Sequence, residues 1–439
     1  MKILILNNLY PPHHAGSFDL RCQGVTEALR KRGHVLRVLT SNHGVGDEQR
    51  DPEIERRLVL NGVFDHPLIT GYGGLRELEE RNHSVLRQTL AEFQPDLVHV
   101  WSLHGLSKSL IFSLRESRLP TVYDVADNWL SEGLREDPWL RWWNRTDPSA
   151  LDGVRRRTLE LSGMRTRVDA LAPTRMMQGY DRMPDVYAPA EALASVQPNS
   201  VAAFRFQHLY FCSHALKAAS ERAGFQVQHA EVIHPGIRAE LFAGVVKPQS
   251  APVKKLLIVT RLTPASGVMT ALEAMKLGRQ NKLKVTLSLY GRGESEYVAQ
   301  LRSYVINHQL PVEFLNVSNL NKDLVAVYRD HDVFLHTAEW DEPFSSAPLE
   351  AMAAGLPVIA AKTGGMRELI RHGENGFAYT PKEPAELVSR IHEVLIGPAL
   401  RCQVAETAQM EVMSYYNETS VVDRIEGVLQ TACQTWQHE

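Results

Sequence analysis

Short apolar runs recur along this chain at intervals that each leave room for one helix, and the whole rhythm occurs twice. Residues 3–7, 35–40, 97–101, 121–125, 208–212 and 231–234 read as buried strands, several of them entered through polar turns. A stretch of helical period covers 18–32, with Leu20, Val25 and Leu29 on one face, Arg30, Lys31 and Arg32 near its C-terminus, and Gly33 to end it. Beyond residue 254 the pattern restarts, with strands at 256–260, 284–290, 312–315, 333–336, 357–360 and 376–378. Helices fit between them at 268–277, 296–308, 323–329, 347–354 and 385–395. Strand, helix and parallel strand in succession make the repeating unit of a doubly wound sheet. The intervening 244–252 stretch, Gly-Val-Val-Lys-Pro-Gln-Ser-Ala-Pro, has linker composition and no period. The expected organisation is an α/β domain over 1–243 and a second over 253–414, both Rossmann-like with parallel sheets. Two such domains place their ligand crevices, at the carboxyl ends of the strands, in one interdomain cleft.

Length agrees, since 439 residues are too many for one ordinary core. With 44% apolar and 23% charged residues the composition is that of a globular protein. A net charge of −3 gives no reason to expect nucleic acid as a partner. No run approaches the roughly 18 apolar residues of a membrane span. The opening Met-Lys-Ile-Leu-Ile-Leu-Asn-Asn is short for a signal peptide and reads as a first strand. Cys22, Cys212, Cys402 and Cys433 are far apart, so neither a disulfide framework nor a zinc site is indicated. The expected compartment is a reducing cytoplasm. The tryptophan-rich stretch 137–144 reads either as a packing cluster or as a contact for an acceptor or the inner face of a membrane. Residues 189–200, rich in Pro, Ala and Ser, read as a loop.

The chemistry concentrates after the 333–336 strand. There the run Glu-Trp-Asp-Glu-Pro-Phe-Ser-Ser-Ala-Pro-Leu-Glu over 339–350 reads as a loop opening into a helix. Ser345 or Ser346 can cap that helix, and Gly355 and Pro357 end it. Backbone N–H groups at such a start favour an anion. Glu342 lies before it and Glu350 about one turn inside. A phosphate flanked by carboxylates suits a ligand with both phosphate and sugar hydroxyls, which is a nucleotide sugar. Two glutamates at this spacing also occur on plain solvated helices, and it is the Pro-Phe-Ser-Ser loop and the Ala/Gly-rich helix that favour a site.

Other strand-end loops carry weaker signals. Arg261 opens the loop to Gly267, where a guanidinium can take two phosphate oxygens in one fork, or simply be solvated. Tyr290-Gly291-Arg292-Gly293 and Gly364-Gly365 are tight turns that would let backbone meet a ligand. The first loop, 10–18, contains His13, His14 and Gly16. It reads equally as a proline-stiffened surface loop and as a ligand loop whose glycine admits close approach, and a metal on the two histidines is not expected.

These motifs, in register from the Arg261 loop to Gly373-Glu-Asn-Gly-Phe377, resemble the retaining family-4 glycosyltransferases of the GT-B fold. Tyr10-Pro-Pro, Gly33-His-Val, Pro95-Asp-Leu-Val-His-Val and His234-Pro-Gly-Ile extend the resemblance to the N-terminal half. It implies that the C-terminal domain binds a nucleotide sugar and the N-terminal domain an acceptor (carbohydrate, lipid-linked or a small molecule). It also implies a final helix, about 415–439, that returns to the N-terminal domain. Carried over position by position, Glu350 would bind the ribose hydroxyls and Glu342 the donor sugar. Phe344, Ser345 and Ser346 would offer backbone N–H groups, Arg261 would neutralise the diphosphate, and Gly16 would touch it. The base would lie near Tyr290, Gly291 and Val317. The acceptor side would include His13, His14 and Asp127. No metal or other cofactor is implied.

The chain departs from that family at three positions. Ser266 stands where the family usually has a lysine, Ala126 precedes Asp127 where it commonly has histidine, and Ser17 replaces a second glycine. Losing the lysine removes a fixed positive charge from the leaving diphosphate, a change worth a few kcal/mol by analogy with other preorganised donors, roughly as for an oxyanion hole. Arg292 or Lys362, both at strand ends, are candidates to replace it. Two other readings therefore accompany the transferase: a non-catalytic nucleotide-sugar-binding or partner subunit, and a nucleotide-sugar epimerase of the same fold.

Overall fold

The structure, a computed structural model, describes residues 1–14, 16–45, 51–130, 137–139, 142, 149–161, 206, 208–223, 225, 227–315 and 322–436. The chain divides into two compact units, 1–233 with 422–439, and 234–421.

The first unit begins with β1 (Lys2–Asn7), α1 (Ser17–Lys31), β2 (Val35–Ser41), β3 (Ile54–Leu58) and α2 (Tyr72–Phe93). It continues through β4 (Leu97–Ser102), α3 (Leu110–Glu116), β5 (Thr121–Val125), α4 (Ala150–Leu161), β6 (His208–Phe211), α5 (His214–Arg222) and β7 (Glu231–Val232). Among the described residues its seven strands are all parallel, in the order β3-β2-β1-β4-β5-β6-β7. Central strands covered on both faces read as unbroken apolar runs, and Ile3 to Leu6 are wholly buried. The buried face of α1 is Asp19, Cys22, Val25, Thr26 and Leu29. Leu20, expected inward, is only half-buried; Asp19 takes the inward place, within reach of Asn7 Nδ2 at 3.5 Å.

Strand β3 and helices α2, α3 and α5 had no clear sequence signal. β3 is an edge strand of sequence Ile-Glu-Arg-Arg-Leu, whose charges hide the strand period. α2 places Glu79, Asn82 and His83 on its buried face, which interrupts the apolar stripe. Those groups are satisfied internally: His83 meets Ser113 Oγ at 2.6 Å and Ser109 Oγ at 2.7 Å, and Ser109 donates to Glu79. Trp139 and Trp142 are buried and pack on Tyr72, with ring centroids 6.3 and 4.6 Å away. These two tryptophans are packing residues. The rest of 137–144, with 189–200, lies outside the described residues apart from Asp137 and Pro138.

The second unit contains α6 (Ala239–Phe242), β8 (Lys255–Val259), α7 (Val268–Gln280), β9 (Thr286–Tyr290), α8 (Ser295–Asn307), β10 (Val312–Leu315) and α9 (Lys322–Arg329). There follow β11 (Val333–His336), α10 (Ala347–Ala353), β12 (Val358–Ala361), α11 (Met366–Leu369), β13 (Phe377–Tyr379), α12 (Pro384–Ile396) and α13 (Pro398–Tyr415). Its six parallel strands run β10-β9-β8-β11-β12-β13. Side chains alternate across this sheet: Leu256, Ile258 and Leu287 pack with α7 and α12, while Leu257, Phe334 and Val358 pack with α10 and α13. In both sheets the order reverses beside the first strand, at β1/β4 and at β8/β11. That is where strand ends separate and leave a crevice.

The division between units falls at 233/234, before the 244–252 stretch that composition singles out. Local bonding explains the difference. His234 Nε2 meets Glu368 Oε2 at 2.9 Å, Ile237 N–H donates to Tyr416 O at 2.9 Å, and Gln409 reaches the carbonyl of Gly244 at 2.8 Å. These bonds hold 234–244 to the second unit. The last helix, α14 (Glu418–Trp436), has its greater part in the first unit. Val422, Ile425, Leu429 and Ala432 are fully buried there, and Glu426 is bonded to Arg32 and His34 at 2.6 and 2.8 Å.

Candidate functional site

In the second unit the carboxyl ends of β8, β9, β11 and β12 carry loops that are tied to one another. Thr260 N–H donates to Tyr290 O at 3.1 Å, and Leu262 N–H to Arg292 O at 2.8 Å, joining the first two. Thr337 Oγ1 donates to Ser266 O at 2.8 Å, and Glu339 N–H to Ala265 O at 2.9 Å, joining the first to the third. Gly365 N–H donates to Glu342 O at 3.0 Å, and Gly364 N–H to Asp341 Oδ1 at 2.9 Å, joining the third to the fourth. Arg261, Tyr290, Gly291, Glu342 and Glu350 thus belong to one connected rim. Val317 lies outside the described residues.

The glycines make these junctions sterically feasible. At Gly267, with φ of +67°, a Cβ would stand 1.8 Å from Thr337 O. At Gly291 it would stand 1.8 Å from Thr260 O, and at Gly364 1.9 Å from Glu342 O. The close approach at Gly364-Gly365 is therefore to the chain's own 341–344 loop. That loop, with Glu342 in it, rests directly on the two glycines.

Glu350 is held from two sides. Tyr328 Oη donates to its Oε2 at 2.8 Å and Ser346 Oγ to its Oε1 at 3.2 Å. Burial pushes the carboxyl above the usual range, and these two bonds oppose the rise. Ser346 occupies the N-cap position of α10, but its hydroxyl serves Glu350 and makes no capping bond to backbone. Glu342 is partly exposed, and His336 Nε2 contacts its Oε2 at 3.1 Å. Phe344 packs near His234, with ring centroids 5.2 Å apart. Ser345 and Ser346 are half-buried beside it. Arg261 is exposed at the rim. Ser266 is buried, and its hydroxyl donates to Thr263 O at 2.6 Å, closing the turn on itself.

Tyr328, His336, Asp341 and Thr337 support this rim and were not singled out by sequence. His336 ends a strand, which is a usable signal. Tyr328 sits on a helix with no feature to distinguish its phenol from ordinary core.

On the first unit Gly16 precedes α1 in extended backbone, and a Cβ there would meet nothing within 4 Å. Among the described residues nothing requires glycine at that position. His13 and His14 are half-buried. His13 lies edge-on to His43, centroids 6.4 Å apart. Asp127 is buried and held by two hydrogen bonds. Its Oδ1 accepts Trp129 N–H at 2.7 Å and its Oδ2 accepts Ser102 Oγ at 3.2 Å, and burial raises its pKa. Among the described residues no helix is long and apolar enough to cross a membrane, and no group of three or more His, Cys, Asp or Glu is placed to hold a metal.

Residues 246–410 match the family described as glycosyl transferases group 1, and residues 20–156 match the glycosyl transferase 4-like domain. An uncharacterized glycosyltransferase of Methanocaldococcus jannaschii is 22% identical over 445 residues, covering 99% of both chains. Sucrose-phosphate synthase from Thermosynechococcus elongatus is similar in structure, with a TM-score of 0.67, 16% identity and 98% of each chain covered. Anabaena HepE, solved in complex with UDP-glucose, is similar with a TM-score of 0.65, 22% identity, and 98% of this chain and 100% of that one covered. The two parallel α/β sheets are those of the GT-B fold, and the chain belongs to the group 1 glycosyltransferases of family 4.

Proposed function

We propose that this glycosyltransferase moves a sugar from a nucleotide-sugar donor to an acceptor hydroxyl with retention at the anomeric carbon, without a metal, in glycan, polysaccharide or glycolipid synthesis. The observation that carries the donor assignment is Glu350, whose two oxygens are fixed by Tyr328 and Ser346 in the first turn of α10. A carboxylate so oriented accepts hydrogen bonds from a vicinal diol such as ribose. The rim beside it supplies Arg261 for the diphosphate and Glu342 for sugar hydroxyls. HepE, whose solved complex holds UDP-glucose, makes UDP-glucose the first donor to try.

In the proposed reaction the bond from the anomeric carbon to the diphosphate oxygen breaks as a bond to the acceptor oxygen forms on the same face. The acceptor proton passes to the departing phosphate oxygen, so no separate protein base is required. That reading agrees with an Asp127 already committed to Trp129 and Ser102. Arg261 stabilises charge that grows on the leaving group, which lowers the barrier because it is stronger in the transition state than before it.

The test is thermal-shift screening of UDP-, GDP- and ADP-sugars against the parent protein, Glu350→Ala and Arg261→Ala. A donor that binds only the folded state raises Tm in the parent. No shift and no turnover with any donor would remove the reading. Ser266 favours a second reading, a subunit that binds donor without transfer, because a buried serine closed on its own turn supplies no charge to a leaving diphosphate. Donor binding without turnover would select it. An epimerase would convert the donor with no acceptor present.

A further inference from the structure

We propose that His43 and His66, with Phe64 and His104, form a wall on the first unit that recognises a neutral, hydroxyl-rich sugar acceptor. This rests on the glycosyltransfer reading above and names the acceptor class for it. The four residues come from the loops that follow β2, β3 and β4, which are neighbours with β1 in the sheet. His43 Nδ1 and His66 Nε2 are 3.2 Å apart, a direct imidazole–imidazole hydrogen bond. Phe64 lies 6.0 Å from the His43 ring and 5.8 Å from the His104 ring, centroid to centroid. All four are at least partly open to solvent.

The loops are shaped to bring these rings together. Phe64 and Asp65 are consecutive non-glycine residues at positive φ, +51° and +65°. Such backbone is strained and persists where surroundings over-determine it. At Gly44, φ +71°, a Cβ would stand 2.4 Å from His13 Nδ1, and at Gly105, φ +76°, 2.2 Å from a methyl of Val63. The loops after β2 and β4 thus close on the first and third loops through glycine.

The imidazole pair fixes the ligand chemistry. When two neutral imidazoles share one hydrogen bond, the donor ring keeps an acceptor nitrogen and the acceptor ring keeps an N–H. Whichever way the shared proton sits, His43 Nε2 and His66 Nδ1 together offer one donor and one acceptor. Neither has a protein partner among the described residues. A hydroxyl group needs both roles filled, whereas a phosphate needs donors only. His66 is held below the usual histidine range by burial and then by His43, and His13 by burial and then by Arg56 and His43, which favours neutral rings near pH 7. Among the described residues, Arg56, the cation that acts on His13, is committed to the carbonyls of Tyr10 and Pro11, at 2.8 and 2.5 Å. Asp65, the acid next to His66, is exposed and repels anions. Phe64 supplies an apolar face for the C–H side of a pyranose.

The test uses the full chain and two probes, glucose and glucose 6-phosphate. Histidine Cε1–H resonances are followed by NMR in the parent, Phe64→Ala, His43→Gln and His66→Asn. Glucose is expected to shift resonances that disappear in the His43 and His66 variants, and to bind at least tenfold better than its phosphate. Phe64→Ala should weaken that binding about fivefold or more. Because no donor is needed, this readout stands even where nucleotide-sugar binding fails. Resonances unmoved by glucose, or moved at lower concentration by the phosphate, overturn the proposal. With a working donor, the acceptor KM for neutral sugars should rise at least tenfold in the two histidine variants, and an unchanged KM in both overturns it too.

Discussion

Tyr328 Oη donates to Glu350 Oε2 at 2.8 Å from a side chain wholly removed from solvent. The phenol also reaches Ala347 O at 3.3 Å, so one group ties the first turn of α10 to the carboxylate it presents. Tyr328→Phe removes this donor and leaves Glu350 half-buried with Ser346 alone. The loss of one such bond is worth ~1 kcal/mol, so donor Kd should rise about fivefold at pH 7. The sign with pH follows from burial: with one stabilising bond gone, the carboxyl takes its proton more readily. The acid limb of donor binding should move to higher pH in the variant, as titration calorimetry across pH would read. An unmoved limb would mean that Tyr328 does not orient Glu350.

Gly364→Ala should be costly beyond the residue changed. Its Cβ would collide with Glu342 O, and its φ of +41° strains any side chain. The 341–344 loop must shift to relieve it, carrying Glu342 off His336. A stability loss of at least ~2 kcal/mol is expected in denaturant titrations, together with loss of donor-induced thermal shift. Retained donor binding in the folded variant would show that the loop tolerates displacement.

Ser266→Lys tests the missing cation. An added ammonium beside Arg261 should tighten nucleotide-diphosphate binding about tenfold, equivalent to ~1.4 kcal/mol, and raise turnover with it. Calorimetry at low and high salt separates charge from packing, since screening weakens the former. Equal affinity in variant and parent would mean that Arg261, Arg292 or Lys362 already satisfies the phosphates.

These effects bear on what a sequence can disclose. The β8 and β11 strands were legible because two-sided burial leaves an unbroken apolar run, and the placement of Glu342 before a helix start and Glu350 inside its first turn because a helix start after a strand is a positional signal. Edge strand β3 was not, since its charged residues answer to partners far along the chain: Glu55 meets Arg37 of β2 at 3.1 Å, and Arg56 donates to the carbonyls of Tyr10 and Pro11. Helix α2 hid behind Glu79 and His83, whose partners Ser109 and Ser113 lie at the start of α3 and within it, about thirty residues on. Tyr328 and the His43–His66 pair were invisible for the same reason. A hydrogen bond between residues 22 or 23 positions apart leaves no trace in local period.

The docking of α14 should depend on pH through Glu426. Its carboxyl is held below the usual range, first by Arg32 and then by His34. A depressed folded-state pKa contributes stability above the unfolded value, about 4.3, and loses it as pH falls through the folded value. Glu426→Gln should therefore be less stable than the parent near neutrality, by ~1 kcal/mol or less for a partly exposed pair. The gap should narrow as the medium is acidified below the ordinary glutamate range. Urea titrations at several pH values would show this, and a gap that widens on acidification would contradict it.

Gly16→Ala separates stability from function most cleanly. The backbone there has φ 174° and ψ −162°, which any residue adopts, and an added Cβ meets no neighbour within 4 Å. Replacing glycine at an unstrained position restricts the unfolded chain and stabilises by ~0.4–1 kcal/mol. The melting temperature should therefore hold or rise. If a ligand's phosphate approaches this backbone during turnover, the methyl group stands in its way, and kcat should fall by about tenfold or more, as loss of one preorganised contact does. A variant both as stable and as active as the parent would leave the glycine without a role in donor or acceptor chemistry. A variant that is less stable would mean instead that the 10–18 loop adopts another backbone in solution.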